Sequence, residues 1–113
     1  MASRQPDSAP LFSDCFTLCE WLFGRLGEST HVLPRSLCQN ALALFDHVLL
    51  ALKNVDRDMR LDEADERLII LRAHVRLACA VGCLTQEQMV HVLGIADRIG
   101  RQLGGWQRSL DAA

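Results

Sequence analysis

The sequence predicts an all-α protein, an antiparallel up-and-down four-helix bundle. Four segments place apolar residues at alternating steps of three and four, the spacing that lines one face of an α-helix. No segment shows the strict alternation of apolar and polar residues that is typical of a strand. Half of the 113 residues are hydrophobic, whereas only seven are Gly, three are Pro and none is Tyr. This composition argues against a disordered chain and against an all-β domain.

The chain begins with a polar segment, residues 1–10, which contains two prolines and which we expect to be a flexible leader. The first helix is predicted from about residue 11 to residue 26, and Gly27 follows it as a terminator. The residues expected to form its buried stripe are Phe12, Cys15, Cys19, Leu22 and Leu26.

The second helix is predicted from Pro34, which suits a first helical turn because that turn does not use the amide hydrogen that proline lacks. It runs to Lys53 and has two apolar stripes. The inner stripe is Leu37, Ala41, Leu44, Val48 and Ala51. The second stripe is Leu42, Phe45, Leu49 and Leu52.

A monomer of this size has too little interior to cover a helix that is apolar on two sides. We therefore interpret the second stripe as an oligomer interface. The alternative is that the second helix simply lies centrally in the bundle. The later half of the third helix, residues 77–83, is also apolar nearly all round, which favours association with another chain.

A charged linker, residues 54–60, is predicted between the second and third helices. Four carboxylates between residues 62 and 66 indicate the start of the third helix, where the positive end of the helix dipole favours them. Gly82 ends this helix. Its predicted stripe is Leu61, Ala64, Leu68, Leu71, Val75 and Ala78.

The fourth helix is predicted to start at Thr85, because Gln88 three residues later completes a capping-box pattern. The bundle then covers residues 11–110 and leaves residues 111–113 as a short tail. The predicted stripe of the fourth helix is Met89, Val92, Ala96, Ile99, Leu103, Trp106 and Leu110.

The sequence indicates neither catalytic nor metal chemistry. The four His residues are scattered, and no His-Glu-x-x-His pattern or helical Glu-x-x-His pair accompanies the carboxylates. Cys15 and Cys19 lie four residues apart, as do Cys79 and Cys83, whereas structural zinc sites usually use tighter Cys-x2-Cys spacings. We therefore expect no enzyme activity, no cofactor and no metal, and we expect Cys15 and Cys19 to be reduced and packed in the core.

No apolar run approaches the roughly 18 residues of a membrane span. The first ten residues lack the apolar stretch of a signal peptide. The sequence therefore predicts a cytoplasmic protein with no membrane partner.

The basic residues favour the C-terminal part of the chain, although the net charge is -2. Residues 1–67 contain seven basic and eleven acidic side chains, whereas residues 68–113 contain five arginines and three acidic side chains. Arginines that lie in a line along a helix can bind RNA phosphates. The alternative is a solvated face whose arginines pair with nearby acids. Arg98, Arg101 and Arg108 follow one line of the fourth helix, and Arg72 and Arg76 form a patch on the third.

The segment IADRIGRQLGGWQRS, Ile95 to Ser109, resembles the closing helix of the accessory variability determinant (Avd) of diversity-generating retroelements. The third helix, Leu61 to Ala78, resembles the same family in its acidic start, its Leu-rich stripe and its paired arginines. The loop from Gly82 to Met89 is also similar. The resemblance covers about residues 34–110, and the run Ile-Gly-Arg-x-Leu-Gly-Gly-Trp is its most specific part.

This resemblance implies a non-catalytic four-helix bundle that forms a pentamer and associates with a reverse transcriptase and its template RNA during mutagenic copying. It makes Gly104 and Gly105 close-packing positions and Trp106 a core or interface anchor. The candidates for RNA or polymerase contact are Arg72, Arg76, Arg98, Arg101 and Arg108.

Two alternatives stay open at this point. The net charge of -2 makes docking to the polymerase as plausible as direct contact with RNA. The related bundle family encoded in intervening sequences of bacterial 23S ribosomal RNA genes shares the fold. A protein of that type would be a standalone structural bundle without a polymerase partner.

Overall fold

The computed structural model describes residues 8–112, which form four α-helices and contain no strand. The helices are α1 (Ser8–Leu26), α2 (Val32–Leu52), α3 (Arg57–Ala80) and α4 (Gln86–Ala112). Each helix packs against its two neighbours in the order α1, α2, α3, α4 and back to α1, and within this range the diagonal pairs make no close backbone contact. The bundle is 47 Å long and 21 Å across. The predicted fold class is confirmed.

Both ends of the bundle extend beyond the predicted bounds. α1 begins at Ser8, so residues 8–10 of the predicted leader are helical, and residues 1–7 lie outside the described residues. α4 continues to Ala112, so most of the predicted tail belongs to this helix, while Ala113 lies outside the described residues.

The connection between α2 and α3 is shorter than predicted, because α3 begins at Arg57. Asn54 and Asp56 adopt left-handed backbone conformations, with φ of 60° and 48°. Asn and Asp tolerate this region better than most residues. The amide of Val55 donates a hydrogen bond of 2.9 Å to the carbonyl of Leu50, which closes the turn. The charged residues 57–60 therefore form the first turn of α3 rather than a linker.

The buried stripes of α2, α3 and α4 agree with the sequence. All five predicted residues of α2 and all six of α3 are buried. In α4, Met89 and Leu110 are half-buried, and Ile95 joins the buried set. Trp106 is 2% exposed, so the aromatic anchor of the family motif lies in the core.

The stripe of α1 differs from the prediction. Leu11 and Leu18 are buried with Cys15 and Leu22, whereas Phe12 is 36% exposed. The predicted members Cys19 and Leu26 are half-buried. Residues 11, 15, 18 and 22 also alternate by three and four, so the buried face keeps Cys15 and Leu22 but is turned by less than one residue from the predicted face.

The ends of the helices carry the predicted signals. At the start of α4, the amide of Thr85 donates to Oε1 of Gln88 at 2.9 Å, and the amide of Gln88 donates to Oγ1 of Thr85 at 3.1 Å. This confirms the capping box. Gly82, just after α3, has a φ of +86°, a conformation that favours glycine.

A polar network fixes α2 against α3. Asn40 is buried, and its Nδ2 donates to the carbonyl of Ser36 at 3.0 Å while its Oδ1 accepts from Arg67 at 3.2 Å. Oγ of Ser36 lies 2.9 Å from Nδ1 of His74. Because a buried amide without partners is costly, this network favours one register of the two helices.

Two of the cysteines of α1 and α2, Cys15 and Cys38, lie in the core, and Cys19 packs against it. The thiol of Cys19 donates to the carbonyl of Ala41 at 3.3 Å, and that of Cys38 donates to the carbonyl of Leu22 at 3.7 Å. Burial raises the pKa of Cys15 from 9.0 to about 12 and that of Cys19 to about 11. The raised pKa disfavours the thiolate, which is the reactive form of cysteine.

Replacing Trp106 by Ala should lower the free energy of unfolding by about 3–5 kcal/mol, because it removes a large ring from the core. Trp21→Ala is the matched control, since Trp21 is only half-buried and should give a smaller loss. Chemical denaturation followed by circular dichroism measures both. Equal losses for the two variants would contradict the assignment of Trp106 as the aromatic centre of the core.

The free energy of unfolding should fall as the pH rises above 9.0 toward 11. A thiol with a raised pKa in the folded state binds its proton more tightly there than in the unfolded chain. The contribution of such a thiol to the free energy of unfolding is complete below its pKa in the unfolded chain. It is lost as the pH rises toward its pKa in the folded protein. Denaturation of the parent and of a Cys15→Ala/Cys19→Ala variant across this range measures the effect. The variant should show a shallower decline, and an equal decline in both proteins would refute the explanation.

Candidate functional site

A groove between α3 and α4 contains three of the five predicted arginines. Arg72 comes from α3, and Arg101 and Arg108 come from α4. The groove has a volume of about 370 Å³ and is open to solvent on one side. Asp65 and Asp97 also line it, so its positive charge is partly compensated.

Gly100 allows Arg72 to cross over α4. A Cβ atom at Gly100 would lie 2.7 Å from Nη2 of Arg72 and 3.3 Å from Cδ2 of Leu68. In the space this leaves, Nη2 of Arg72 donates to the carbonyl of Ala96 at 3.3 Å and pairs with Asp97 at 3.1 Å. Arg72 is therefore held in one position at the floor of the groove.

The close approach lies at Gly100 and not at the two glycines that the family resemblance implied. A Cβ at Gly104 would meet the end of the Arg108 side chain at 3.2 Å, and at Gly105 the nearest atom, also of Arg108, is 3.9 Å away. The end of a flexible arginine moves at little cost. Gly104 therefore gives space to the guanidinium of Arg108 rather than to another helix.

The other two predicted arginines lie outside this groove. Arg98 is on the side of α4 that faces α1, where its Nε lies 3.5 Å from Oδ1 of Asp14. Gln102 donates to the same carboxylate at 2.8 Å. Arg76 is exposed on α3, one turn beyond Arg72. The line of residues seen in the sequence therefore divides between two edges of α4.

An exposed aromatic face runs along α1 and α2. We define the aromatic face as Phe12, Phe16, Phe23, Leu42 and Phe45. The centroid of the Phe12 ring lies 5.3 Å from that of Phe45 and 6.2 Å from that of Phe16. Phe16 is 51% exposed and Leu42 is 45% exposed. All of these residues except Phe12 line an apolar depression of about 290 Å³, together with Cys19 and Glu20.

The predicted second stripe of α2 forms one side of this aromatic face. Leu42 is exposed, and Phe45, Leu49 and Leu52 are half-buried. The phenylalanines of α1 were missed as part of the same surface, because the predicted stripe placed Phe12 in the core. The rotation of α1 brings them beside the second stripe.

A second apolar surface lies on the outer side of α3. We define the α3 face as Ile69, Ile70, Leu77 and Val81. Ile69 is 58% exposed and Val81 is 56% exposed. Because α1 and α3 occupy diagonal corners of the bundle, the α3 face and the phenylalanines of α1 lie on different sides of the molecule. Sequence reasoning noted only the apolar end of this helix.

Within residues 8–112, no three His, Cys, Asp or Glu side chains lie close enough together to hold a metal ion. None of the helices in the described part of the chain is long and apolar enough to cross a membrane.

The comparisons with known proteins identify a family. A family model described as bAvd-like matches residues 25–110, which is more than half of the chain. The match includes α2, α3, the groove and most of α4, whereas Phe12, Phe16 and Phe23 precede it. No curated protein and no solved structure matches the chain.

Proposed function

The chain belongs to the bAvd-like family, and we propose that it is a non-catalytic accessory subunit of a diversity-generating retroelement reverse transcriptase. In this role an oligomer of the chain binds the polymerase and the template RNA in the cytoplasm and supports mutagenic cDNA synthesis. The observation that carries the proposal is the family match across three of the four helices. The runner-up is a standalone bundle of the ribosomal intervening-sequence type, which has no polymerase partner.

The groove between α3 and α4 is the surface that we assign to RNA. Arg101 and Arg108 are exposed on one side of α4, two turns or about 10 Å apart. Arg72, which reaches across from α3, pairs with Asp97, so one paired and two exposed guanidinium groups line the same groove. Guanidinium groups suit phosphate because they donate paired hydrogen bonds. Arg76 and Arg98, outside the groove, are candidates for contact with flanking RNA or with the polymerase.

The two apolar surfaces support the assembly that we propose. The aromatic face and the α3 face lie on different sides of the molecule, so one copy can contact two others through them. Contact between the aromatic face of one copy and the α3 face of the next is head-to-tail, and such contacts close into a ring when the rotation between copies allows it. A pentamer is the ring that the family resemblance implies.

Co-purification with the reverse transcriptase encoded at the same locus tests the proposed function as a whole. A tagged form of the full chain should retain that polymerase through purification, whereas a standalone bundle would not. If the gene for this chain has neither a reverse-transcriptase gene nor a template repeat beside it, the runner-up is favoured.

Replacing Arg101 and Arg108 by Gln should weaken binding of template RNA. Each lost phosphate contact should lower the slope of log affinity against log salt by about 0.7 to 0.9. Stability should change by less than about 0.5 kcal/mol, because both side chains are exposed. Fluorescence anisotropy with labelled RNA at several salt concentrations measures the affinity and its salt slope. Adding Arg98→Gln measures the contribution of the remaining arginine of α4 to RNA binding.

Arg35→Gln is the matched control for these variants, because Arg35 is exposed on α2 and distant from the groove in sequence. It should leave both the affinity and the salt slope at the parent values. If the Arg101→Gln/Arg108→Gln protein also keeps them, the groove is a solvated face and docking to the polymerase remains as the role of the chain.

Replacing Phe45 by Asp should leave the helical content intact and break the assembly, since an unpaired charge buried at a subunit contact costs several kcal/mol. Because Phe45 also packs against its own core, Phe16→Asp at an exposed position provides the same test with less effect on folding. Light scattering at micromolar concentration gives the mass of each protein.

Val90→Asp serves as the control, because Val90 is exposed on α4 outside both apolar surfaces. Its mass should equal that of the parent. A parent protein with the mass of a single chain would refute the oligomer.

A further inference from the structure

A pocket separate from the groove lies between the end of α1 and the start of α4. It is open to solvent and has a volume of about 360 Å³. Neither the family resemblance nor the basic groove accounts for it. Its lining residues are Trp21, Arg25, Glu87, Gln88 and His91.

Three planar groups meet in this pocket. The centroid of the His91 ring lies 5.4 Å from that of Trp21, with the ring planes at 44°. The guanidinium carbon of Arg25 lies 5.0 Å from the centre of the Trp21 ring. Trp21 is half-buried, whereas Arg25 and His91 are exposed. The indole is therefore supported by the bundle, and the two groups around it remain accessible to a ligand.

Polar groups that suit the edge of a base lie beside this aromatic surface. Oε1 of Gln88 accepts the amide hydrogen of Thr85 in the capping box, which fixes the amide group and leaves its NH2 as a donor. The exposed carboxylate of Glu87 is an acceptor. A flat ligand with both donors and acceptors on its edge is therefore the chemistry that fits.

We propose that this pocket binds an unpaired nucleobase of single-stranded RNA. Bases stack on aromatic rings and on guanidinium planes, and unpaired bases also expose their hydrogen-bonding edges. The inference rests on the proposed function, because it assumes that the chain meets RNA. In this proposal the groove contacts RNA phosphates, and the pocket is an additional site that binds a base.

The position of Arg98 agrees with this assignment. Arg98 follows His91 by seven residues on the same side of α4, a distance of two turns or about 10 Å. Its guanidinium lies at the edge between α1 and α4, where the pocket also lies. A strand whose base occupies the pocket can therefore place a neighbouring phosphate near Arg98.

Tryptophan fluorescence tests the proposal directly. The chain has two tryptophans, and Trp106→Phe leaves Trp21 as the only one. Titration of this variant with a short single-stranded RNA should quench the Trp21 emission to saturation. An abasic strand of equal length should bind through the arginines without quenching, because it has phosphates and no bases.

Trp21→Ala should lower the affinity for base-bearing RNA by about 5- to 150-fold, the range measured when one stacking residue is removed. Its affinity for the abasic strand should stay at the parent value. Trp21→Phe should restore part of the affinity. His91→Ala, and Arg25→Lys, which keeps the charge and removes the planar guanidinium, should weaken binding of the base-bearing RNA only. Both positions are exposed, so these variants avoid any loss of stability in a Trp21 variant.

Three outcomes would overturn the proposal. If RNA binds to the Trp21→Ala protein as to the parent and does not quench Trp21, the pocket does not hold a base, and the proposed function stands on the groove alone. If neither strand binds, the RNA-binding part of the proposed function fails together with the pocket. If uridine monophosphate saturates the pocket at the concentration that RNA requires, the site binds free nucleotides instead.

Discussion

A bundle 21 Å across can bury one stripe of each helix and little more. The buried positions follow this rule closely, and α3 buries only the six residues of its single stripe. Every other apolar residue must then lie at an edge between helices or face outward. The exposed phenylalanines of α1 and the isoleucines of α3 therefore result from the narrow interior, which ties the proposed association of chains to the geometry of a single chain.

The fold was predictable because α3 and α4 each offer one plausible stripe, and the order and caps of the helices follow from local signals. α2 offers two stripes, of which the predicted inner one is buried. Periodicity alone did not predict which face of α1 is buried, because this helix contains two alternating apolar series that share Cys15 and Leu22. Its neighbours decide between them: the buried series supplies Leu11 and Leu18, whereas the other would place the bulkier Phe12 in the core. The short turn before α3 was missed because charged residues begin helices as readily as they form linkers.

The candidate site was predictable residue by residue but not as a surface. Steps of three and four place Arg98, Arg101 and Arg108 on one half of α4, but that half faces α1 on one edge and α3 on the other. Only the packing of the helices shows that Arg72 joins Arg101 and Arg108, and that Arg98 pairs with Asp14 instead. The role of Gly100 was hidden for the same reason, since its neighbour comes from another helix.

The pairing of Arg72 with Asp97 bears on the kind of ligand that the proposed RNA groove would favour. The carboxylate is attached to the same chain, so it acts as a built-in competitor whose effective concentration far exceeds that of any dissolved anion. A single phosphate must displace it to reach Arg72, whereas a polymer that already engages Arg101 and Arg108 delivers its next phosphate intramolecularly. If the groove binds RNA as proposed, this competition favours a chain of phosphates over free nucleotides and inorganic ions.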